Sequence, residues 1–343
     1  MTSAPLADPA TPVLSVRGLT VDLPTEQGIL RAVDGLGFEV APGETLGVVG
    51  ESGSGKSVTA LAILGLLPSS ARVSGAVELH GRPILGASEK ELEQVRGAQV
   101  AMIFQDALAA LNPVMPVGTQ VGEAITVHRE VGGAELRERV VELLDVVGIP
   151  NPAERADQYP HEYSGGMRQR AMIAMAIAND PALLIADEPT TALDVTIQAQ
   201  VLDVFRRIQE RTRSSVILVT HDLGVVAGVA DRVLVLYAGR AVEVAGVDRT
   251  FYAPAHPYTS GLLASLPRLD RRARRDRRLH QIGGQPPSPL ALPAGCAFHP
   301  RCEHAEVPGR CDGEGPELRE VGPGHLSACH FPERVPAPET VER

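Results

Sequence analysis

Lysine is nearly missing from this chain. Of its 32 basic residues only Lys56 and Lys90 are lysine; the other thirty are arginine. Tryptophan is absent and aromatic residues make up 3% of the chain, too few for the stacking platforms that hold single-stranded nucleic acid. The formal net charge is −10, which has the wrong sign for a surface that releases counterions from nucleic acid, so no nucleic-acid partner is expected. No apolar run approaches the ~18–20 residues needed to span a bilayer. The longest candidate, Val58 to Leu67, stops at Pro68. Residues 1–12 carry Pro5, Pro9 and Pro12 and read as a disordered tail, not as a secretory leader. These absences predict a cytosolic protein whose contact with a membrane runs through a partner. Cysteine is missing from the first 295 residues, and no internal repeat is visible. The length allows one substantial α/β core with a small extension.

Five short motifs are present in a fixed order. The first, Gly50-Glu51-Ser52-Gly53-Ser54-Gly55-Lys56-Ser57, fits G-x-x-x-x-G-K-[ST]. Thr45 to Val49 before it read as a buried strand, and Ser57 to Leu67 after it as an apolar helix, which is the context a phosphate loop requires. In such a loop Gly50, Ser52, Gly53, Ser54 and Gly55 turn backbone N–H groups around an anion, and the helix N-terminus adds about half a positive charge. Lys56 is then placed to reach the β- and γ-phosphates of ATP, and the Ser57 hydroxyl to hold Mg²⁺. An arginine-rich chain keeps lysine here because a compact ammonium fits inside the loop and a planar guanidinium does not.

The remaining motifs complete a hydrolytic site. Leu183 to Ala186 read as a second strand ending in Asp187-Glu188, and ligands of open α/β sheets bind at such carboxyl ends. Asp187 is the candidate for orienting Mg²⁺, and Glu188 for the general base that polarises water. His221 follows a third strand, Val216 to Thr220, and is a candidate contact for the γ-phosphate and the attacking water. Gln105 ends the run Val100 to Phe104, and its amide is a candidate Mg²⁺ ligand. Ser164-Gly165-Gly166-Met167 opens an apolar helix running to about Ala178, with Ser164 as N-cap. Its N-terminus is a second anion site, which a single chain does not need but a dimer does.

In this order the motifs resemble ATP-binding cassette (ABC) proteins over residues 13–245. The resemblance narrows to the D-type ATP-binding subunit of oligopeptide/dipeptide (peptide/nickel) importers. Phe104-Gln105-Asp106, Leu111 to Met115, Met167, Thr220 to Gly224 and the tail His256-Pro257-Tyr258 to Pro267 carry it. It implies an α/β fold: an ABC-type P-loop NTPase with antiparallel β-subdomain, RecA-like core and helical subdomain. The cassette would span 13–250, with the helical part at about 106–178 and a small Cys-containing extension at 251–343. Ser164, Gly165, Gly166, Met167 and Asp194 would meet ATP in trans across the dimer. The implied partners are a second, F-type ATPase subunit, two transmembrane permeases and an extracytoplasmic peptide-binding protein. The chain would then sit peripherally on the cytoplasmic face of the membrane, with Leu108 to Gly118 receiving a permease helix. One departure is Leu23, where the family usually places an aromatic against adenine. DNA-repair ABC ATPases insert long modules between motifs, and 58 residues separate Gln105 from Ser164 here, too few for one. Two-cassette translation factors and P-loop kinases fit less well, the first because this chain has one cassette, the second because the Ser-Gly-Gly helix has no role there.

The tail carries two further signals. Seven arginines between Arg268 and Arg278 read either as a contact with lipid head groups or permease, at about 1 kcal/mol per charge, or as a solvated linker broken by Asp270 and Asp276. Charge blocks usually mark solvated segments. Cys296, Cys302, Cys311 and Cys329 cluster where the segment is rich in proline and glycine, which suggests a metal centre in place of a core. Their gaps of five, eight and seventeen residues fit neither ordinary zinc patterns nor common ferredoxin spacings. The resemblance implies a [4Fe–4S] cluster; zinc, free thiols, or a site using His330 remain open.

Overall fold

The computed structural model describes residues 11–191, 194–266 and 281–336. Most of the expected N-terminal tail, Leu193 and the arginine run from 268 to 278 lie outside the described residues. Among the described residues twelve strands are assigned: β1 (Leu14–Thr25), β2 (Gly28–Val40), β3 (Thr45–Val49), β4 (Arg72–Leu79), β5 (Arg82–Pro83), β6 (Val100–Ile103), β7 (Leu183–Asp187), β8 (Ser215–Thr220), β9 (Arg232–Tyr237), β10 (Arg240–Gly246), β11 (Arg319–Gly322) and β12 (His325–Ser327). They form a four-stranded sheet ordered β2-β1-β4-β5 and an eight-stranded sheet ordered β11-β12-β10-β9-β3-β8-β7-β6.

The small sheet is antiparallel, and β2 alternates over its second half, with Leu36, Phe38 and Val40 buried and Gly37 and Glu39 exposed, as a sheet with one wet face must. His80 and Gly81 both take the left-handed conformation between β4 and β5 and form a tight hairpin turn. In the large sheet β9, β3, β8, β7 and β6 run parallel. Every residue of β3, β7 and β8 is buried, the pattern of strands covered on both faces. β10, β12 and β11 continue the sheet antiparallel, so the C-terminal segment adds two strands to the same sheet that carries the phosphate loop.

The phosphate-loop helix runs over Lys56–Ile63, shorter than the apolar run suggests. Gly65 takes φ 63°. Leu66 N–H then bonds Leu61 O and Gly65 N–H bonds Ala62 O, a Schellman stop that the helix cannot pass. Between β6 and β7 lie helices Ala107–Ala110, Val117–Thr126, Gly133–Val146, Pro152–Arg155 and Gly165–Ala176. Gly133–Val146 buries Val140, Leu143 and Leu144 on one stripe. Val121, Ile125 and Leu144 join Ile173, Leu184 and Phe205 in the core that attaches this helical part to the large sheet. A third cluster joins Val49, Tyr237, Tyr258, Leu263 and Phe298, packing the tail against the strand that leads into the phosphate loop.

Candidate functional site: an ATP site

The phosphate loop leaves the C-terminal end of β3 and enters the helix at Lys56. Two glycines are dictated by close approach. A Cβ on Gly50 would lie 2.3 Å from Leu236 O, and one on Gly55, at φ 102°, would lie 2.5 Å from Ala32 O. Lys56 is 5% exposed, and its ammonium donates to the carbonyls of Gly50 at 2.8 Å and Glu51 at 3.0 Å. Burial lowers its pKa, opposed by the charges of Glu188, Asp187 and Glu51. The loop opens on a cavity of about 1100 Å³ lined by residues 50–58 together with Gln105, Glu188 and His221. The apolar lining comes from Leu23 and Leu30 of β1 and β2, and from Ile282, Pro286, Pro287 and Leu292 of the tail.

Ser57 Oγ donates to Asp187 Oδ1 at 3.0 Å, so the hydroxyl at the helix start and the carboxylate at the end of β7 are brought together. Glu188, one residue on, sits at φ 48°, in the left-handed region that a non-glycine residue seldom adopts. Its N–H bonds Val219 O of β8 at 2.8 Å. Its carboxylate accepts from Thr191 Oγ1 at 2.8 Å and from Gln105 Nε2 at 3.3 Å, and lies 3.3 Å from His221 Nδ1. Burial is the largest influence on Glu188 and raises its pKa. The bonds from Thr191 and His221 and the charge of Lys56 together outweigh it and hold the carboxyl below its ordinary range. Asp187 moves the other way: burial raises it, the Ser57 bond opposes, and the Glu188 charge adds. Two adjacent carboxyls are thus driven apart, the pattern that separates a base from its neighbour. A hydroxyl, a carboxylate and an amide oxygen within this arrangement form the hard-oxygen donor set that suits Mg²⁺.

Ser164 caps the helix Gly165–Ala176 by accepting from Met167 N–H at 3.3 Å. Ser164 and Gly165 are exposed. None of Ser164, Gly165, Gly166, Met167 and Asp194 lines the cavity of its own phosphate loop. Asp194 caps the next helix, Val195–Thr212, through Ile197 N–H at 2.9 Å. A Cβ on Gly166 would lie 2.8 Å from Ile197 Cγ2, so the two helix starts are packed against each other.

The four cysteines share one region as unpaired thiols. Cys296 N–H bonds Cys311 O at 2.8 Å. Burial raises the thiol pKa of Cys296, Cys302 and Cys329, the last to about 11, and the neighbouring thiols add to each shift. Among the described residues, however, no three His, Cys, Asp or Glu side chains gather closely enough to hold a metal ion. The cysteines expected to form a centre are thus brought into one region but not into a ligating arrangement. Neutral thiols attract one another weakly, and backbone bonds place them; ligating geometry comes with deprotonation and metal binding.

Several residues of the site were not singled out by sequence reasoning. Thr191 returns to Glu188 from three residues on, a spacing that offered a signal. Glu51, Tyr258 and Arg301 also reach the phosphate loop, and nothing in the spacing of Arg301 announces it.

Residues 33–191 match the ABC transporter family, and residues 242–308 match the C-terminal region of oligopeptide/dipeptide transporters. The dimeric post-hydrolysis state of the ATP-binding cassette MJ0796 bound to ADP and Pi superposes with a TM-score of 0.62 at 26% identity, covering 68% of this chain and 98% of that one. For cbiO1 of Clostridium perfringens the values are 0.60, 28%, 70% and 90%. Fold and phosphate site together define an ABC-type ATPase. The chain is 48% identical over 332 residues to the oligopeptide transport ATP-binding protein OppD of Salmonella typhimurium, covering 96% of each. It is 51% identical over 320 residues to the OppD of Mycobacterium tuberculosis, covering 93% of this chain and 52% of that one. It belongs to the family of oligopeptide transport ATP-binding proteins.

Proposed function

We propose that this chain hydrolyses ATP to drive an importer of oligopeptides or dipeptides, working as one of two cassettes that close around nucleotide. The observation that carries the reading is Glu188, held by Thr191, Gln105 and His221 over a phosphate loop, in a chain 48% identical to OppD along nearly its whole length. When bound, Mg²⁺ at Ser57, Asp187 and Gln105 would neutralise charge on the β- and γ-phosphates. Lys56 leaves the Gly50 and Glu51 carbonyls for the phosphates. Glu188 takes the proton of the attacking water, and His221 steadies the γ-phosphoryl group as it passes to that water. Ser164, Gly165, Gly166 and Met167 cap the γ-phosphate of the nucleotide held by the second cassette, and Asp194 lines the seam. The exposure of Ser164, Gly165 and Asp194 and the dimeric state of MJ0796 support this arrangement. Driving closure from 1:99 to 99:1 takes about 5.5 kcal/mol of differential binding.

An F-type second ATPase, two permeases and an extracytoplasmic binding protein complete the proposed machine. Among the described residues no helix is long and apolar enough to cross a membrane, so the chain would reach the cytoplasmic face through its permeases. The loop from Asn112 to Met115 suits that contact: buried Gln120 bonds the backbone of both residues, while Val114 is 77% exposed. In assembled transporter, Lys56→Ala is expected to weaken ATP binding and stop peptide-stimulated hydrolysis. Unchanged nucleotide affinity in equilibrium titration would remove the phosphate-loop assignment.

For the cysteine segment we favour a [4Fe–4S] cluster held by Cys296, Cys302, Cys311 and Cys329. Four thiols in one region are the donor set such a cluster uses, and it would offset the mutual repulsion of their thiolates. Protein purified anaerobically should be yellow-brown, with absorbance at about 400 nm from the cluster. A colourless, iron-free preparation would leave zinc or free thiols in its place.

A further inference from the structure

Glu51 lies inside the phosphate loop, yet the chemistry above gives its side chain nothing to do. It is nonetheless held at three points. Its N–H donates to the Tyr258 hydroxyl at 2.7 Å. Its carbonyl accepts from Lys56 Nζ at 3.0 Å. Its carboxylate takes both terminal nitrogens of Arg301, at 2.7 and 2.9 Å. Two of these three grips come from beyond residue 250.

Arg301 is itself fixed before it meets Glu51. Its side chain is 4% exposed. Its Nε donates to Gly283 O at 3.0 Å, and its guanidinium carbon lies 5.9 Å from the ring centroids of both Tyr237 and Phe298. Tyr258 is fully buried, with its ring 4.7 Å from Tyr237 and 5.5 Å from Phe298. A two-pronged guanidinium–carboxylate pair fixes direction as well as distance, which a lysine would not.

We propose that Arg301 is a positioning residue of the ATP site. Through Glu51 it holds the phosphate loop in the shape that receives the triphosphate, so the tail segment between Cys296 and Cys302 sets the affinity for nucleotide. The reasoning follows Lys56. At rest its ammonium supports the carbonyls of Gly50 and Glu51. When phosphate arrives, Lys56 turns away and that support is lost. The loop is rich in glycine and has much freedom to lose on binding. The grips of Arg301 and Tyr258 do not depend on Lys56, and they keep the Glu51 peptide in place while the exchange occurs. Ordering done before binding appears as affinity.

The inference rests on the ATP-site reading, and the test separates the two. The variants Arg301→Met, Arg301→Lys, Glu51→Gln and the double Arg301→Met/Glu51→Gln are prepared as full chains in the assembled transporter. KM for MgATP, kcat and the thermal midpoint without nucleotide are measured for each. Loss of preorganisation that serves ground state and transition state alike raises KM and spares kcat. Arg301→Met is expected to raise KM about tenfold, mid-range for coupled contacting residues, with kcat changed less than about twofold. Arg301→Lys should recover only part of this. The double variant should be no worse than Arg301→Met alone. Should Arg301→Met fail to fold, Glu51→Gln carries the same test with shape preserved. The proposal is overturned if KM stays at the parent value while only the thermal midpoint falls, or if the two single effects simply multiply. Lys56→Ala is the control beneath it: unchanged ATP affinity there overturns the ATP site and the inference together, whereas a Lys56 defect beside parental Arg301 and Glu51 variants overturns the inference alone.

Discussion

Glu188→Gln is expected to lower ATP turnover by about 10²- to 10⁴-fold, the range general-base catalysis contributes, while ATP still binds. The amide keeps the length of the side chain and can still accept the Thr191 hydroxyl bond, which is 2.8 Å long in the parent. What it cannot do is take a proton from water. Ser57, Asp187 and Lys56 are untouched, so the phosphate loop should fill normally. With hydrolysis blocked, nothing removes the γ-phosphate that joins one cassette to the other. The variant should therefore persist as a closed dimer with ATP and Mg²⁺, visible by size-exclusion chromatography as a species that parent protein forms only transiently. Turnover at the parent rate would take the base role from Glu188. His221, more than half exposed and 3.3 Å from the carboxylate, would be the next candidate.

The second large effect concerns stability. Glu243 on β10 is fully buried. Its carboxyl accepts from the N–H groups of Ala255 at 2.7 Å and His256 at 3.0 Å, and lies 2.7 Å from His325 Nε2 of β12. Glu243→Leu strands all three partners without water. The expected loss is about 3–5 kcal/mol, as for breaking one side of a buried polar pair, measured as a lower denaturant midpoint. Glu243→Leu with His325→Leu should recover part of that loss, because one orphaned polar group is then gone. A midpoint unchanged in the single variant would mean that water reaches this position. By the same contacts the cassette is not separable from its tail. A chain ended near residue 250 loses every one of these partners and uncovers the edge of β10, so it should aggregate.

The legible part of this structure was whatever repeats a local rule. β3, β7 and β8 announced themselves as short apolar runs because a parallel sheet buries both faces. The phosphate loop declared itself through glycines that only close backbone approach requires. Ser164 read as an N-cap because capping is a matter of one side chain and one turn. Where the outcome depended on distant partners, the sequence was silent. Gly65 ended the first helix earlier than its apolar run suggested, since a run of leucines reports burial and not where the backbone reverses. β11 and β12 hold only four and three residues, too few to show a period, and join the sheet only because β10 offers an edge. Arg301 lies 250 positions from Glu51 along the chain, and no periodicity links them. The cysteines were visible as a cluster, but their geometry was not, because sequence spacing does not fix how a proline- and glycine-rich segment turns.

The backbone of Glu188 has one further implication. A side chain at φ 48° carries a standing penalty of roughly 1–2 kcal/mol that glycine or asparagine would largely escape. The sturdiest version of this fold is therefore an inert one. Libraries screened for heat resistance alone should drift toward replacements at this position, and the survivors would be durable shells without a working engine.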